Sequence, residues 1–550
     1  VRSFDIEMFY TDFGVLPRYE HARAYRNSAI FSLHLANGTV GFIATLFVVQ
    51  AAAAVALLVG YRTRLAQGIA WFLLVSLHHR NPMVLQGGDI VLRLLLFWSL
   101  VLPLGACWSC DSRRGGQHGR VFNVGVLALL AQVTAIYWYG LVLKAGSPWR
   151  DGTAVHFALH IDQFATPFGI WIRQYSKLTQ VLTYTTLILE FLGPALLVGS
   201  FFLPSRSKLL RGLAVLLMVP LHIGFGLGLE LGLFPVISIL CWVVWLPTEV
   251  WDWLQKRLTA QVPTPVLDGH DSAYALPRLA RWCWGLIALY AILWNNNSVP
   301  KPPQVTIGGT KVVFQIPAQI QSFGRALGLE QQWNMFAPKP FVSDGWYVVV
   351  GETKNASLMS LWPNRSAVTL DKPESVAGMY SSQRWRKYWM NLWYPRHAVH
   401  RGRSLDYACR RASRDDAPVD KVYMLYVEEP TSPPDEQVKP LNCRILHAQK
   451  CDGKMVDDKR PLPAELVECD RLAWSTALAS AAEKVCRCDS NDITCQSREW
   501  RRYASAVERY TAQLDRGTTK FALPAASEST REAIKRLKDC ADSHLQLRLH

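Results

Sequence analysis

Thr39–Val59 is an uncharged apolar stretch long enough to cross the roughly 30 Å hydrocarbon core of a bilayer. Backbone polar groups in hydrocarbon have no water to bond, so such a stretch has to become a helix. Seven further segments repeat the signal. Leu65–Leu77 is shorter and ends at His78-His79-Arg80; Asp89–Gly105 follows; Val121–Leu143 stops at Lys144. Leu178–Leu203 carries one acid, Glu190; Gly212–Leu229 and Leu231–Pro247 are parted by Glu230; Trp282–Asn295 is the last. The pattern predicts a polytopic α-helical membrane protein with about eight transmembrane helices over residues 1–299. Ile30–Leu35 and His156–Arg173 have the amphipathic composition of segments lying at the interface.

The few charges inside these segments stand out because each costs several kcal/mol in hydrocarbon unless paired or facing a polar interior. Asp89 and Arg93 are four residues apart, on one helix face. They read either as a polar wall of an internal cavity or as an ion pair that fixes helix packing. Lys144 closes a long apolar helix in Tyr137-Trp-Tyr139-Gly-Leu-Val-Leu-Lys144-Ala-Gly-Ser-Pro-Trp149. Desolvation could make it a general base. The alternative is an interface lysine snorkelling among belt aromatics. Glu190 is either a site acid or a protonated carboxyl bonded to a neighbouring helix. His222, two residues after Pro220, is either a proton donor or acceptor or a satisfied core histidine.

Net charge is +16. It divides evenly: 22 Lys+Arg against 14 Asp+Glu up to residue 300, and 37 against 29 afterwards. No long basic run is interleaved with aromatics, so the charge reads as membrane-facing or solubilising, with no nucleic-acid partner. Membrane lipids are the expected surroundings. The basic loops around Arg62/Arg64, Arg113/Arg114/Arg120 and Arg206/Lys208/Arg211 fall on one side of the helix count. The positive-inside rule assigns that side to the cytoplasm. Lys144, Arg150 and everything after Asn297 then face outward, which places the chain in a bacterial inner membrane with an extracytoplasmic C-terminal part. A chain opening at Val1 on polar residues predicts either a non-AUG start or a missing N-terminal piece, such as a first helix.

Pro300-Lys-Pro-Pro303 marks the change to soluble composition. Strand patterning at Thr306–Ile316, Trp346–Gly351 and Val419–Glu428, with a helix at Trp385–Trp393, predicts an α+β domain over residues 300–430. Residues 431–550 read as a cysteine-bearing helical tail, with helical spacing at Leu472–Val485, Arg498–Leu514 and Glu528–Leu547. Eight of the twelve cysteines lie after residue 400: Cys409, Cys443, Cys451, Cys469, Cys486, Cys488, Cys495 and Cys540. An even count in a soluble segment predicts disulfides and an oxidising compartment. Cys486-x-Cys488-x6-Cys495 lacks the partner spacing of structural zinc sites, so no metal is expected. Cys107-Trp-Ser-Cys110 has a redox spacing but follows a membrane helix rather than a strand. No serine triad, P-loop or dinucleotide-binding glycine loop is present as a convincing signature.

Several strings taken together resemble the HTTM (horizontally transferred transmembrane) domain family, related to vitamin K-dependent gamma-carboxylase. They are Phe9-Tyr-Thr-Asp-Phe-Gly-Val-Leu-Pro17-Arg18, Gly60-Tyr-Arg-Thr-Arg64, His79-Arg-Asn81-Pro82, Gly87-Gly-Asp89 to Arg93 and Leu102-Pro-Leu-Gly105. Gln331-Gln-Trp333-Asn-Met-Phe336-Ala-Pro338 and Asp344-Gly-Trp346-Tyr347 look like its soluble extension. The resemblance covers about residues 1–400. It implies a cavity for a lipid- or quinone-like ligand, reduced vitamin K or another quinone as cofactor, and epoxidation coupled to glutamate carboxylation. Lys144 falls at the place of the catalytic lysine, in a Tyr-x6-Lys-x4-Trp frame; Glu190 and His222 fall where the carboxylase has an acid and a histidine. Asp89, Arg93 and Trp108 are the expected cofactor-side residues. In Ala106-Cys107-Trp108-Ser109-Cys110-Asp111, Ala106 stands where the carboxylase has its assisting histidine. The lipase maturation factors, a distant likeness, supply the second expectation: a non-catalytic envelope assembly factor whose extracytoplasmic part binds a protein client.

Overall fold

The structure, a computed structural model, describes residues 2–26, 28, 30–112, 123–258, 276–299, 304–307, 310–363, 368–434, 436, 441–456, 463, 466 and 469. The chain forms two compact units. One comprises Val1–Phe341 and Tyr380–Asn391, the other Val342–Met379 and Leu392–His550.

The first unit is helical. A helix overlaps each of the eight apolar segments: α1 Val40–Val59, α2 Thr63–Arg80, α3 Gly87–Ser99, α4 Val124–Leu143, α5 Ser176–Phe202, α6 Ser207–Gly228, α7 Phe234–Val243 and α8 Arg278–Trp294. Among the described residues four helices are long and apolar enough to cross a membrane: Val40–Val59, Val124–Leu143, Ser176–Phe202 and Pro204–Gly228. A fifth span results if Phe234–Val243 and Thr248–Leu254, bent by 102°, count as one.

Local chemistry sets the ends. The Thr39 hydroxyl accepts from Phe42 N at the start of α1, and Gly60, at φ +67°, closes it in the left-handed conformation that glycine adopts without strain. Asp111 receives Arg62 N and Thr63 N (3.1 and 2.8 Å) and so caps α2. Asn123 caps α4 through Gly125 N at 2.9 Å. A Cβ on Gly193 of α5 would meet Met218 Sδ of α6 at 2.4 Å, so glycine permits that close helix approach. The apolar core between these helices includes Trp98, Val133, Ile136, Met218 and Trp242. The segment expected at 156–173 falls on two short helices, Ala154–Leu159 and Pro167–Ile172, the second exposing Phe168 and Trp171.

Two later segments complete this unit. The hairpin of β1 Gln304–Ile307 and β2 Thr310–Val313 pairs Gln304 with Val313 and is followed by helix Ala318–Ala326. In helix α9, Gln383–Trp393, the first turns carry two buried arginines. Arg384 donates both terminal nitrogens to Asp89, Nη2 at 2.7 Å from Oδ1, and Nη1 also reaches Val84 O at 2.8 Å. Arg386 donates to Gln163 O (2.6 Å), Glu230 Oε2 (2.9 Å) and Glu230 O (2.5 Å). Two arginines thus tie together three loops that close helix ends.

In the second unit, β3 Ser343–Glu352, β4 Leu358–Trp362, β5 Lys421–Pro430 and β6 Asn442–Lys450 form an antiparallel sheet in the order β4-β3-β5-β6. Trp346, Val348 and Val350 alternate onto one face, where they meet Tyr423, Leu425, Val427 and Cys443. Helix α10, Val399–Arg414, packs on β5 and β6. Disulfides join Cys409 to Cys451 and Cys443 to Cys469. The helices expected at 472–485, 498–514 and 528–547, with Cys486, Cys488, Cys495 and Cys540, lie outside the described residues.

Removing Arg384 while keeping Asp89 strands a buried carboxylate. Arg384→Ala is expected to lower stability by about 3–5 kcal/mol, and the apolar-compatible double change Asp89→Asn with Arg384→Met to restore most of it. Denaturant titration of the three proteins in micelles checks both.

Candidate functional site

Lys144 occupies the C-cap of α4, where the helix has just run out of apolar residues. Its Nζ lies 2.7 and 2.5 Å from the two carboxylate oxygens of Glu190, in the middle of α5. The two side chains are only 6% and 9% exposed. On another side Nζ stands 5.0 Å from the centre of the Trp149 ring, a cation–π distance. Trp149 is fixed by donating Nε1–H to Phe336 O at 2.9 Å, while Gly146 N donates to Pro338 O at 2.8 Å. The 336–338 stretch therefore holds the turn after Lys144.

One face of α4 continues inward. Tyr137, seven residues before Lys144, is about 10 Å deeper by the helical rise. Its hydroxyl accepts Trp242 Nε1–H at 2.7 Å and bonds His222 Nε2 at 2.7 Å. Deeper still, Gln132 accepts Trp98 Nε1–H at 3.3 Å and donates to Gln331 Oε1 at 2.8 Å. Gln331 also accepts Trp333 Nε1–H at 2.9 Å and donates to Ala291 O at 3.0 Å. These amides are satisfied by one another, as buried polar groups must be.

Asp89 and Arg93 share a helix face but do not pair with each other. Asp89 caps α3 through Gln86 N (3.0 Å) and is held by Arg384. Arg93 lies 2.9 Å from Glu330 Oε1 and donates to Glu330 O at 2.8 Å. Both partners come from beyond residue 329, so each ion belongs to an inter-segment tie.

Trp108 stands elsewhere. It is exposed, meets Trp251 edge-on at 6.2 Å, and belongs to the stretch that caps α2 through Asp111. Asn123 Nδ2, at the start of α4, donates to Val101 O. Lys144 lies past the other end of that helix, roughly 30 Å along it. Cys107 and Cys110 are exposed free thiols. The sequence expectations thus separate into a Lys144–Glu190 cluster, a Tyr137–His222–Trp242 cluster one to two turns deeper, and a distant Trp108.

The cluster's chemistry follows from what each pair can do with a proton. Arg384–Asp89 and Arg93–Glu330 contain guanidinium groups that stay charged. Lys144–Glu190 is the one of these three pairs in which both members can become neutral. Moving the Nζ proton to Glu190 leaves an amine lone pair without creating net charge in an apolar setting. The contributions of Trp149, Tyr137, Trp242, Gln331, Glu330 and Arg384 were not assigned from sequence. Tyr137 and Trp149 had a signal as the ends of the Tyr-x6-Lys-x4-Trp frame, and Gln331 as the first residue of the Gln331-Gln-Trp333 string.

In the loop between α4 and α5, the His160 ring lies tilted against that of His156, with centres 4.1 Å apart, and donates Nδ1–H to His156 O at 2.8 Å. Burial pushes the His160 imidazole down to about 4. The unfolded chain protonates near 6.5, so it binds the extra proton between those values and the folded state loses stability as pH falls from about 6.5 to 4, with no further loss from this group below. His160→Gln is expected to flatten that part of a thermal-midpoint-versus-pH profile.

No family model, curated protein or solved structure matches this chain.

Proposed function

We propose that this chain is an HTTM-like, vitamin K-dependent gamma-carboxylase-like integral membrane protein in which Lys144 accepts a proton from a lipid- or quinone-like molecule. The observation that carries the reading is the buried Lys144–Glu190 pair beside Trp149, the pair able to exchange its proton internally. The family frame, Tyr137-x6-Lys144-x4-Trp149, contains both Lys144 and Trp149 of that cluster.

About eight spans fit the same picture. Under alternation, the Lys144 end of α4, the start of α5, the end of α6 and the start of α7 share one face. Hydrogen bonds join the segments at those ends, Thr166 N to Gly228 O and Glu230 N to Phe164 O, and Gly146 N ties the α4 end to Pro338 O. That face is extracytoplasmic in this reading, in a bacterial inner membrane. The Cys409–Cys451 and Cys443–Cys469 disulfides support an oxidising surrounding for the second unit.

A reduced quinone, when bound, supplies an acidic hydroxyl on an oxidisable ring. The donor set suits such a group: an aromatic face at Trp149, an amine at Lys144 and a carboxylate at Glu190 within 3 Å of it. Glu190 takes the lysine proton and so readies Nζ; Trp149 and the 336–338 stretch fix Nζ in place. Asp89 and Arg93 serve architecture in this reading, because each is ion-paired to a distant segment of the same unit, Asp89 to Arg384 and Arg93 to Glu330. The second reading, a helix-anchored assembly factor for an extracytoplasmic protein client, draws on the separately folded, disulfide-stapled sheet unit.

Wild type and Lys144→Ala in lipid nanodiscs, titrated with reduced naphthoquinones under oxygen, separate the two. Binding with epoxide formation that drops about a hundredfold or more in the variant is expected. Wild type that neither binds nor oxidises the quinone would overturn the base reading in favour of the assembly factor. Orientation has its own check in intact cells. A membrane-impermeant maleimide should reach Cys107 and Cys110 only after permeabilisation, and Cys409 and Cys451 only after reduction.

A further inference from the structure

The Tyr137–His222–Trp242 cluster has a proton arrangement that can be worked out from its donors. Trp242 Nε1–H can only donate, and it donates to the Tyr137 oxygen at 2.7 Å. Tyr137 has one proton of its own. If it goes to His222 Nε2, 2.7 Å away, every group on the phenol is satisfied and neutral His222 carries its proton on Nδ1. If instead His222 donates from Nε2, the phenol proton and the bare Nδ1 are both left over. The first arrangement leaves one group over, the second leaves two, so the first is favoured. Trp242 thereby fixes Tyr137, and Tyr137 fixes the His222 tautomer.

The remaining group is His222 Nδ1–H. The side chain is 1% exposed, and Nδ1 has no hydrogen-bond partner among the described residues. The rings of Phe225 and Phe234 stand edge-on to the imidazole, with centres at 5.6 and 6.0 Å. A donor oriented by a two-residue relay and walled by aromatic rings is built to receive an acceptor oxygen on an otherwise apolar molecule.

We infer that His222 Nδ1–H is a binding point for a carbonyl oxygen of an apolar ligand, with Tyr137 and Trp242 as positioning residues that hold the tautomer. The inference rests on the reading of the helical unit as a ligand-binding membrane domain. It assigns the ligand a hydrogen-bond-accepting oxygen, bound at the histidine that Tyr137 orients, and the backbone of Tyr137 lies about 10 Å from that of Lys144 along α4. A ligand touching both His222 and Lys144 would carry a second polar group along its length.

The test uses the full chain in nanodiscs, with 15N-labelled histidine and benzophenone, an apolar ketone that also crosslinks to nearby C–H bonds on irradiation. Wild type should show His222 with a bare Nε2 and a protonated Nδ1, assigned by loss of the signals in His222→Phe. Tyr137→Phe should move the proton to Nε2, a change that a merely structural role would not produce. Benzophenone should shift the Nδ1–H resonance and crosslink to the peptide bearing Phe225 or Phe234, with labelling about five- to tenfold weaker in His222→Phe. An Nε2–H tautomer in wild type, or labelling unchanged in His222→Phe, would overturn the inference. Lys144→Ala serves as the control: benzophenone labelling there should persist. Failure of naphthoquinone oxidation with intact benzophenone binding would count against Lys144 alone.

Discussion

A charge in an apolar helix must find its opposite, and Asp89 and Arg93 find theirs outside the eight apolar helices. Asp89 and Glu230 are held by Arg384 and Arg386, and Arg93 is held by Glu330. Arg384–Asp89 is buried on both sides and the other two on the arginine side, and such pairs return little net stability against well-packed apolar residues, because desolvation consumes the Coulombic gain. Breaking one is another matter, since it leaves a bare ion. Their effect is therefore selective: they tolerate one arrangement of the loops and penalise the others. The Lys144 turn, pinned by Phe336 and Pro338, inherits its position from the same arrangement.

That dependence explains what could and could not be read from the sequence. Helix positions were legible because hydrophobic runs such as 40–59 and 124–143 specify them locally. Strands β3 and β5 were legible as well, from alternation around Trp346 and Val422, whereas β6 was not, because Asn442–Lys450 mixes Arg444, His447 and Gln449 into its pattern. The partners of the charges were hidden. The i, i+4 spacing of Asp89 and Arg93 suggested a pair, yet both side chains turn to segments more than two hundred residues away, which helical periodicity cannot encode. Of the site, the sequence pointed to Lys144, Glu190 and His222 separately; the bond between the first two, and the Tyr137 and Trp242 relay behind the third, exist only once four helices pack.

The polar groups along α4 form a graded series. At Lys144 both pair members can change charge; at Tyr137 and His222 neutral partners hold their protons in one arrangement; at Gln132 and Gln331 the amides are fully matched. Proton mobility falls with depth while hydrogen-bond satisfaction rises. A helix carrying chemistry at its rim and fixed polarity in its core keeps the reactive end adjustable without loosening the packing behind it.

The Arg384–Asp89 tie joins residues 295 positions apart. A ribosome adding about 5–20 residues per second needs roughly 15 to 60 s to cover that distance. Helix α3 therefore emerges long before its arginine exists, and burial of the Asp89 carboxylate is a late step in biogenesis. A chain stopped anywhere before residue 384 carries the acid without its counter-ion. The finished packing of the helical unit is accordingly written by the last segment to join it, not by the order in which its helices enter the membrane.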